Sequence, residues 1–156
     1  MDDSEKIRRI LLRSKTLAIV GLSAQWHRPS YFAAKYMQEH GYRIIPVNPM
    51  YDEILGEKCF KSLRDIPEPV DVVDCFRKSA EIPALAEDAI AIGAKVLWMQ
   101  IGVKSEAARA RAEAAGLEVV ENRCVKIEHG RFFGGLGWVG VNTKVISAKR
   151  ASAAGG

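Results

Sequence analysis

Three junctions in this chain repeat one device: Gly41-Tyr42-Arg43-Ile44, Gly93-Ala94-Lys95-Val96 and Gly116-Leu117-Glu118-Val119. In each, a glycine ends a helical pattern and a strand-forming run starts almost at once. Glycine enters the left-handed backbone region without a Cβ clash, so it stops a helix cleanly. The β-branched run behind it fits a pleated, buried surface. Three such junctions in register argue for βαβ units and a parallel sheet covered on both faces. With right-handed crossovers the expected fold is a doubly wound, Rossmann-like α/β domain.

The periodicities fill in the elements. Ser4 is placed to cap a helix within residues 1–14, with Ile7, Ile10 and Leu11 along its apolar side. Thr16–Val20 reads as a strand, and Ser30–His40 as a helix closed by Gly41. Tyr42–Val47, Val70–Cys75, Lys95–Met99 and Leu117–Glu121 read as further strands, five in all. Ser79 is expected to cap a helix to about Ile92, and Ser105–Ala115 to form another. The connection 48–69 is less regular, with one helical turn at Ser62–Ile66. From 129 to 156 the pattern is glycine-rich and irregular, so regular helix is not expected there. Its large apolar residues, Phe132, Phe133, Leu136, Trp138 and Val139, suit an extended segment packed back on the domain, or a partner contact. Ala151–Gly156 reads as weakly structured.

Composition bounds the partners. A length of 156 residues with 48% hydrophobic content suits one domain spanning 1–156. No run approaches the roughly 18 apolar residues of a membrane span, and the charged N-terminus lacks the pattern of a secretory signal. Three well-separated cysteines make no disulfide framework, which points to a reducing cytoplasm. Net charge is +4, but 19 acidic residues are interspersed among 23 basic ones. That allows a local site for an anionic small molecule and lacks the basic stripe of a nucleic-acid binder.

In such a sheet the ligand lies outside the carboxyl ends of the strands, where strand order reverses. The first strand ends at Gly21, followed by Leu22, Ser23, Ala24, Gln25, Trp26, His27, Arg28, Pro29 and Ser30. Gly21 permits a tight turn. Ser23 and the amides opening the next helix can donate to phosphate oxygens, helped by the helix dipole. Arg28 offers a fork suited to phosphate, or is simply a solvated charge. The dinucleotide fingerprint G-x-G-x-x-G is absent, because Ser23 and Trp26 stand where its second and third glycines would be. After the second strand the chain reads Val47-Asn48-Pro49, with no carboxylate until Asp52 to receive a ribose hydroxyl. NADP and coenzyme A remain, and the missing glycines favour coenzyme A. The other strand ends, Asn48–Tyr51, Phe76–Ser79, Gln100–Val103 and Asn122–Cys124, complete the candidate site, with Tyr51, Phe76, Arg77, Met99, Gln100, Ile101, Asn122 and Cys124 as candidate binding residues.

Val20-Gly21-Leu22-Ser23, Arg28-Pro29-Ser30-Tyr31 and Gly41 to Pro49 together resemble the small stand-alone CoA-binding proteins of bacteria and archaea. Ser62 to Pro67, Val70 to Asp74, Phe76-Arg77, Trp98 to Val103 and Arg123 to Glu128 extend the resemblance over Ile10 to Glu128. That family is similar to the CoA-binding domain of the succinyl-CoA synthetase α subunit. The resemblance implies a Rossmann-like sheet in the order 3-2-1-4-5. It implies Gly21 to Trp26 at the CoA diphosphate, Asn48 to Tyr51 near the adenosine, Phe76 and Arg77 along the nucleotide, and Met99 to Ile101 near the pantetheine arm. Tyr51 stands where the synthetase has a basic residue, so one phosphate contact differs. The chain has no room for the synthetase's catalytic domains, and ligase activity does not follow.

No catalytic or metal-ligating set stands out. His27, His40 and His129 show no metal spacing; His40 is placed to serve the end of its helix, and His129 reads as a surface residue. Cys75 and Cys124 fall at strand ends, as buried structural thiols or as thiols able to meet the CoA thiol. Two functions remain open. One is non-catalytic binding of CoA or acyl-CoA, alone, as a homo-oligomer or as partner of an acyl-CoA enzyme. The other is a small NADP-dependent oxidoreductase or another nucleotide-dependent enzyme in the same crevice.

Overall fold

A computed structural model describes residues 3–134. Helix α1 (Asp3–Arg13) leads into β1 (Thr16–Val20), α2 (Pro29–Glu39) and β2 (Arg43–Val47). A short antiparallel ribbon, β3 (Glu53–Ile54) with β4 (Glu57–Lys58), and a 3-10 turn at Leu63–Asp65 precede β5 (Val72–Cys75). A second 3-10 turn, Ser79–Glu81, opens α3 (Ile82–Ala91). Then come β6 (Val96–Met99), α4 (Glu106–Ala114), β7 (Glu118–Val120) and α5 (Val125–Phe133).

Five parallel strands form one sheet in the order β2-β1-β5-β6-β7. Outside β2, Phe60 makes a parallel bridge to Val47. With that edge counted third, the order follows the expected 3-2-1-4-5 style. The third place, however, is held by the Phe60 segment: β5, counted third along the sequence, lies against β1 on its other side. The reversal of strand order therefore falls between β1 and β5.

Alternation along the strands builds two cores. Ala18, Val20, Val73, Leu97 and Met99 face α3 and α4, which present Ile82, Ala86, Ala89, Ala108 and Ala112. Leu17, Ile19, Val72, Val96 and Trp98 face the other way, onto Ile7, Ile10 and Leu11 of α1, Ala33, Ala34 and Met37 of α2, and Val125 of α5. Each fully buried Ile, Leu or Val contributes about 1.5–3 kcal/mol.

Local signals explain most ends. Ser105 Oγ accepts from Ala108 N at 3.1 Å and caps α4, while Ser62 Oγ accepts from Arg64 N at 3.2 Å. His40 Nδ1 donates to Tyr36 O at 2.8 Å, serving the end of α2 as expected. Ser79 does not cap α3; its hydroxyl accepts from Lys104 N at 3.0 Å, tying the loops after β5 and β6 together.

The largest departure is α5. Its helix runs through Gly130 to Phe133, inside the segment expected to be irregular. His129, expected at the surface, is buried, and its Nδ1 shares a 3.0 Å hydrogen bond with the Tyr36 hydroxyl. Phe132 and Phe133 pack on the α1/α2 side of the core. Leu136, Trp138, Val139 and Ala151–Gly156 lie outside the described residues. Among those described, no helix is long and apolar enough to cross a membrane.

Candidate functional site

The β1 and β5 ends meet at Gly21. Its φ is +85°, and a Cβ there would fall 2.5 Å from the Phe76 carbonyl oxygen and 2.7 Å from Arg77 Cδ. No side chain fits such an approach. Gly21 N donates to Val47 O at 2.8 Å and Phe76 N to Val20 O at 2.9 Å, so the turn joins all three neighbouring strand ends.

The loop after Gly21 is internally braced. Ser23 N donates to Ser30 Oγ, and Gln25 N to Ser23 Oγ, each at 3.0 Å. Both hydroxyls retain a proton to give outward. Ala24, Gln25, Trp26, Arg28 and Pro29 are exposed, Trp26 to 70%. Arg28 occupies the N-cap of α2 with its side chain free of any capping bond, and Pro29 opens the helix. The positive end of α2 thus faces a loop carrying Arg28 and His27, a suitable environment for phosphate.

At the end of β2, Asn48 is buried and both ends of its amide are occupied. Nδ2 donates to Leu22 O at 3.0 Å, and Oδ1 accepts from Met50 N at 2.9 Å. Asn48 therefore shapes the turn, while Pro49, Met50 and the half-buried Tyr51 form the surface beyond it. The first carboxylate in the chain after β2 is Asp52.

A crevice of about 710 Å³ opens past β5 and β6, lined by Pro29, Phe76, Arg77, Lys78, Glu81, Gln100, Ile101, Val103, Cys124 and Ile127. Its walls are mainly apolar and its rim is charged. Arg77 is held by Glu81, Nε to Oε1 at 2.9 Å, whereas Lys78 has no ion-pair partner among the described residues. Trp98 Nε1 donates to Arg123 O at 2.8 Å, anchoring the segment that brings Cys124 to the N-cap of α5. Beneath the lining lies Asp74, fully buried, with Gln100 Nε2 donating to its Oδ1. Burial pushes the Asp74 carboxyl up to about 7, against the opposing pull of the Gln100 hydrogen bond. Burial, helped by Asp74, likewise raises the Cys75 thiol, which packs in the core on the opposite sheet face.

The structure brings Pro29, Phe76, Arg77, Gln100, Ile101 and Cys124 together in one wall, with the Gly21 loop beside them. Apart from Gly21 and residues 23–30 beside it, the structure leaves six other expected residues out of the wall: Asn48, Pro49 and Tyr51 at the end of β2, and Leu22, Met99 and Asn122. Leu22 and Met99 are fully buried, each in a different core, because strand alternation turns them inward. Asn122 adopts a left-handed backbone, accepts from Gly102 N at 2.8 Å and lines a separate polar groove with Lys104 and Arg123. Lys78 and Val103 also line the crevice, inside the strand-end stretches Phe76–Ser79 and Gln100–Val103. Sequence reasoning missed Glu81 and Ile127. Ile127 was hidden by the unexpected α5.

Fold and crevice define a Rossmann-like domain with an open crevice at the carboxyl ends of its strands, beside the strand-order reversal. Residues 15–130 match the family model described as a CoA binding domain, and the chain belongs to that family. It is 43% identical over 124 residues to the uncharacterized protein YneT of Bacillus subtilis, covering 80% of this chain and 92% of that one. A hypothetical protein from Pyrococcus horikoshii OT3 superposes with a TM-score of 0.83 at 44% identity, over 85% of this chain and 94% of that structure. Similarity also extends to the ADP-forming acetate–CoA ligase II of Archaeoglobus fulgidus, 28% identical over 76% of this chain. That match spans only 18% of the ligase.

Proposed function

We propose that the protein binds coenzyme A or an acyl-CoA at the carboxyl ends of β1, β5 and β6, and does so without turning it over. The observation that carries this reading is the crevice itself. Apolar walls from Phe76, Val103 and Ile127 suit a pantetheine-like arm, and the adjoining Gly21–Ser30 loop with the α2 N-terminus suits a diphosphate. The carboxylate-free β2 end suits a ribose that carries a phosphate. Membership of the CoA binding domain family supports the same ligand. Binding rather than chemistry fits the lining, since its acid, Glu81, is engaged by Arg77. A role as carrier, sensor or partner of an acyl-CoA enzyme is compatible with this site.

Calorimetric titrations with CoA, acetyl-CoA, NAD and NADP test it. Saturable CoA binding well below about 1 mM, a free energy more favourable than about −4 kcal/mol, is expected, with NADP weaker. Tighter binding of NADP than of CoA, with turnover of a reduced substrate, would replace the proposal by the oxidoreductase reading.

A further inference from the structure

Asp74 is a fully buried carboxyl in the middle of the sheet, and it is incompletely satisfied. Its Oδ1 accepts from Gln100 Nε2, while its Oδ2 is the one buried side-chain oxygen or nitrogen without a partner among the described residues. Gln100 Oε1 takes no hydrogen bond among the described residues either, yet it is not among the sealed atoms, and Gln100 lines the crevice. The carboxyl is therefore one amide away from the ligand space.

The chemistry of this pair has two states. An ionised carboxylate only accepts, so it holds the Gln100 NH₂ inward and leaves the carbonyl Oε1 facing the crevice. A protonated carboxyl donates, so it can take Oε1 inward and turn the NH₂ outward. We propose that Asp74 is a positioning residue: through Gln100, its protonation decides whether the crevice offers a carbonyl oxygen or an amide N–H to an amide of the bound pantetheine arm. The ligand's identity in this statement rests on the coenzyme A reading; the coupling of Asp74 to Gln100 does not. The ionised form, the one that matches Gln100 Nε2 donating inward to Asp74, leaves Oε1 outward to accept a ligand N–H and is the binding form in this proposal.

Neighbouring groups leave this pair to itself. On the adjacent strands, Asp74 is paired with Ile19 of β1 and Trp98 of β6. The helices over that face bring apolar residues of α1, Ser30 of α2, which accepts from Ser23, and Glu128 and His129 of α5. Glu128 is tied to Arg131 and His129 to Tyr36. Cys75 is the next residue along and packs on the opposite sheet face. With the carboxyl raised to about 7 by burial, both states are populated near neutral pH.

Two measurements test the proposal. Isotope-labelled protein without ligand is titrated by NMR over about two pH units either side of that value. The Asp74 carboxyl and the Gln100 side-chain amide are expected to shift together with one midpoint, and Asp74→Asn to abolish the Gln100 transition. A Gln100 amide that stays still while Asp74 titrates, or an Asp74 ionised throughout, overturns the proposal. Calorimetry with CoA at both ends of the range then compares wild type with Asp74→Asn. The CoA phosphates titrate equally in both, so the difference isolates Asp74. Wild type is expected to lose about tenfold more affinity per unit below the midpoint, since one pKa unit is a factor of ten. Equal pH dependence in the two proteins overturns the link to binding. If CoA binds neither protein, the functional reading fails, and the ligand-free titration still decides the Asp74–Gln100 coupling.

Discussion

Gly21 is held at φ +85° with the Phe76 carbonyl where its Cβ would be. A left-handed non-glycine residue costs about 1–2 kcal/mol, and forcing the clash apart adds about 1–3 kcal/mol. Gly21→Ala is therefore expected to lose about 2–5 kcal/mol in urea unfolding, and to weaken ligand binding because the turn and the Phe76-Arg77 wall move together. A stable Gly21→Ala with unchanged binding would contradict this account of the turn. Asp74 carries a stability consequence as well. Its carboxyl is raised from 3.8 to about 7 in the folded protein, so the folded state binds the proton more tightly than the unfolded chain. Stability from this group is present at low pH and is lost as pH rises through that window. Asp74→Asn is expected to unfold at higher urea than wild type at alkaline pH, the difference shrinking toward pH 4; a variant less stable at alkaline pH would refute it.

At the scale of elements, α5 controls one side of the crevice. It is docked through His129, whose ring lies against Tyr36, His40, Tyr42 and Phe133. Burial, reinforced by His40, depresses His129 from 6.5 to about 4. A depressed histidine stabilises the fold fully above its unfolded value and less as pH falls toward its folded one. Two and a half units at about 1.4 kcal/mol each set an upper bound of about 3.5 kcal/mol. Unfolding free energies between neutral pH and about pH 4 should fall accordingly, with a flatter profile in His129→Gln; identical slopes would contradict the assignment. Ile127, on the same helix, is 54% exposed and reaches the crevice. Ile127→Asp is expected to cut CoA affinity about tenfold or more while shifting Tm by only a few degrees, since it adds a charge on the ligand side and removes little core; unchanged affinity would place the ligand elsewhere. This helix was the element least legible in the sequence. Gly130 costs about 1 kcal/mol relative to alanine inside a helix, and its neighbours alternate large and small residues. What outweighs that cost is tertiary: Val125, Glu128 and His129 are buried against elements more than 80 residues earlier in the chain, a contact no local window contains.

For the whole molecule, the helix-stopping glycines at 41, 93 and 116 all have positive φ and each precedes a parallel strand, so the α/β architecture was readable from local chemistry alone. Which strand lies beside which was less readable, because neighbours in a parallel sheet are chosen by long crossovers. The Phe60 bridge outside β2 has almost no strand signal of its own, yet it supplies the outer position. The site divides along the same line. Strand-end reasoning found Pro29, Phe76, Arg77, Gln100, Ile101 and Cys124, because the carboxyl ends of parallel strands share one edge. It overreached at Leu22 and Met99, whose inward orientation depends on alternation at the last strand residue or just past it. The buried Asp74 was passed over as part of a strand, although a carboxylate amid Val72, Val73 and Cys75 is a signal in its own right.

Whether the crevice takes coenzyme A is decided by isothermal titration of the purified protein with CoA, with NADP as comparator in the same buffer. Saturable one-site CoA binding well below about 1 mM is expected, with weaker NADP binding and CoA affinity cut about tenfold or more in Ile127→Asp. Absence of CoA binding at millimolar concentration, with NADP binding instead, would contradict the coenzyme A reading.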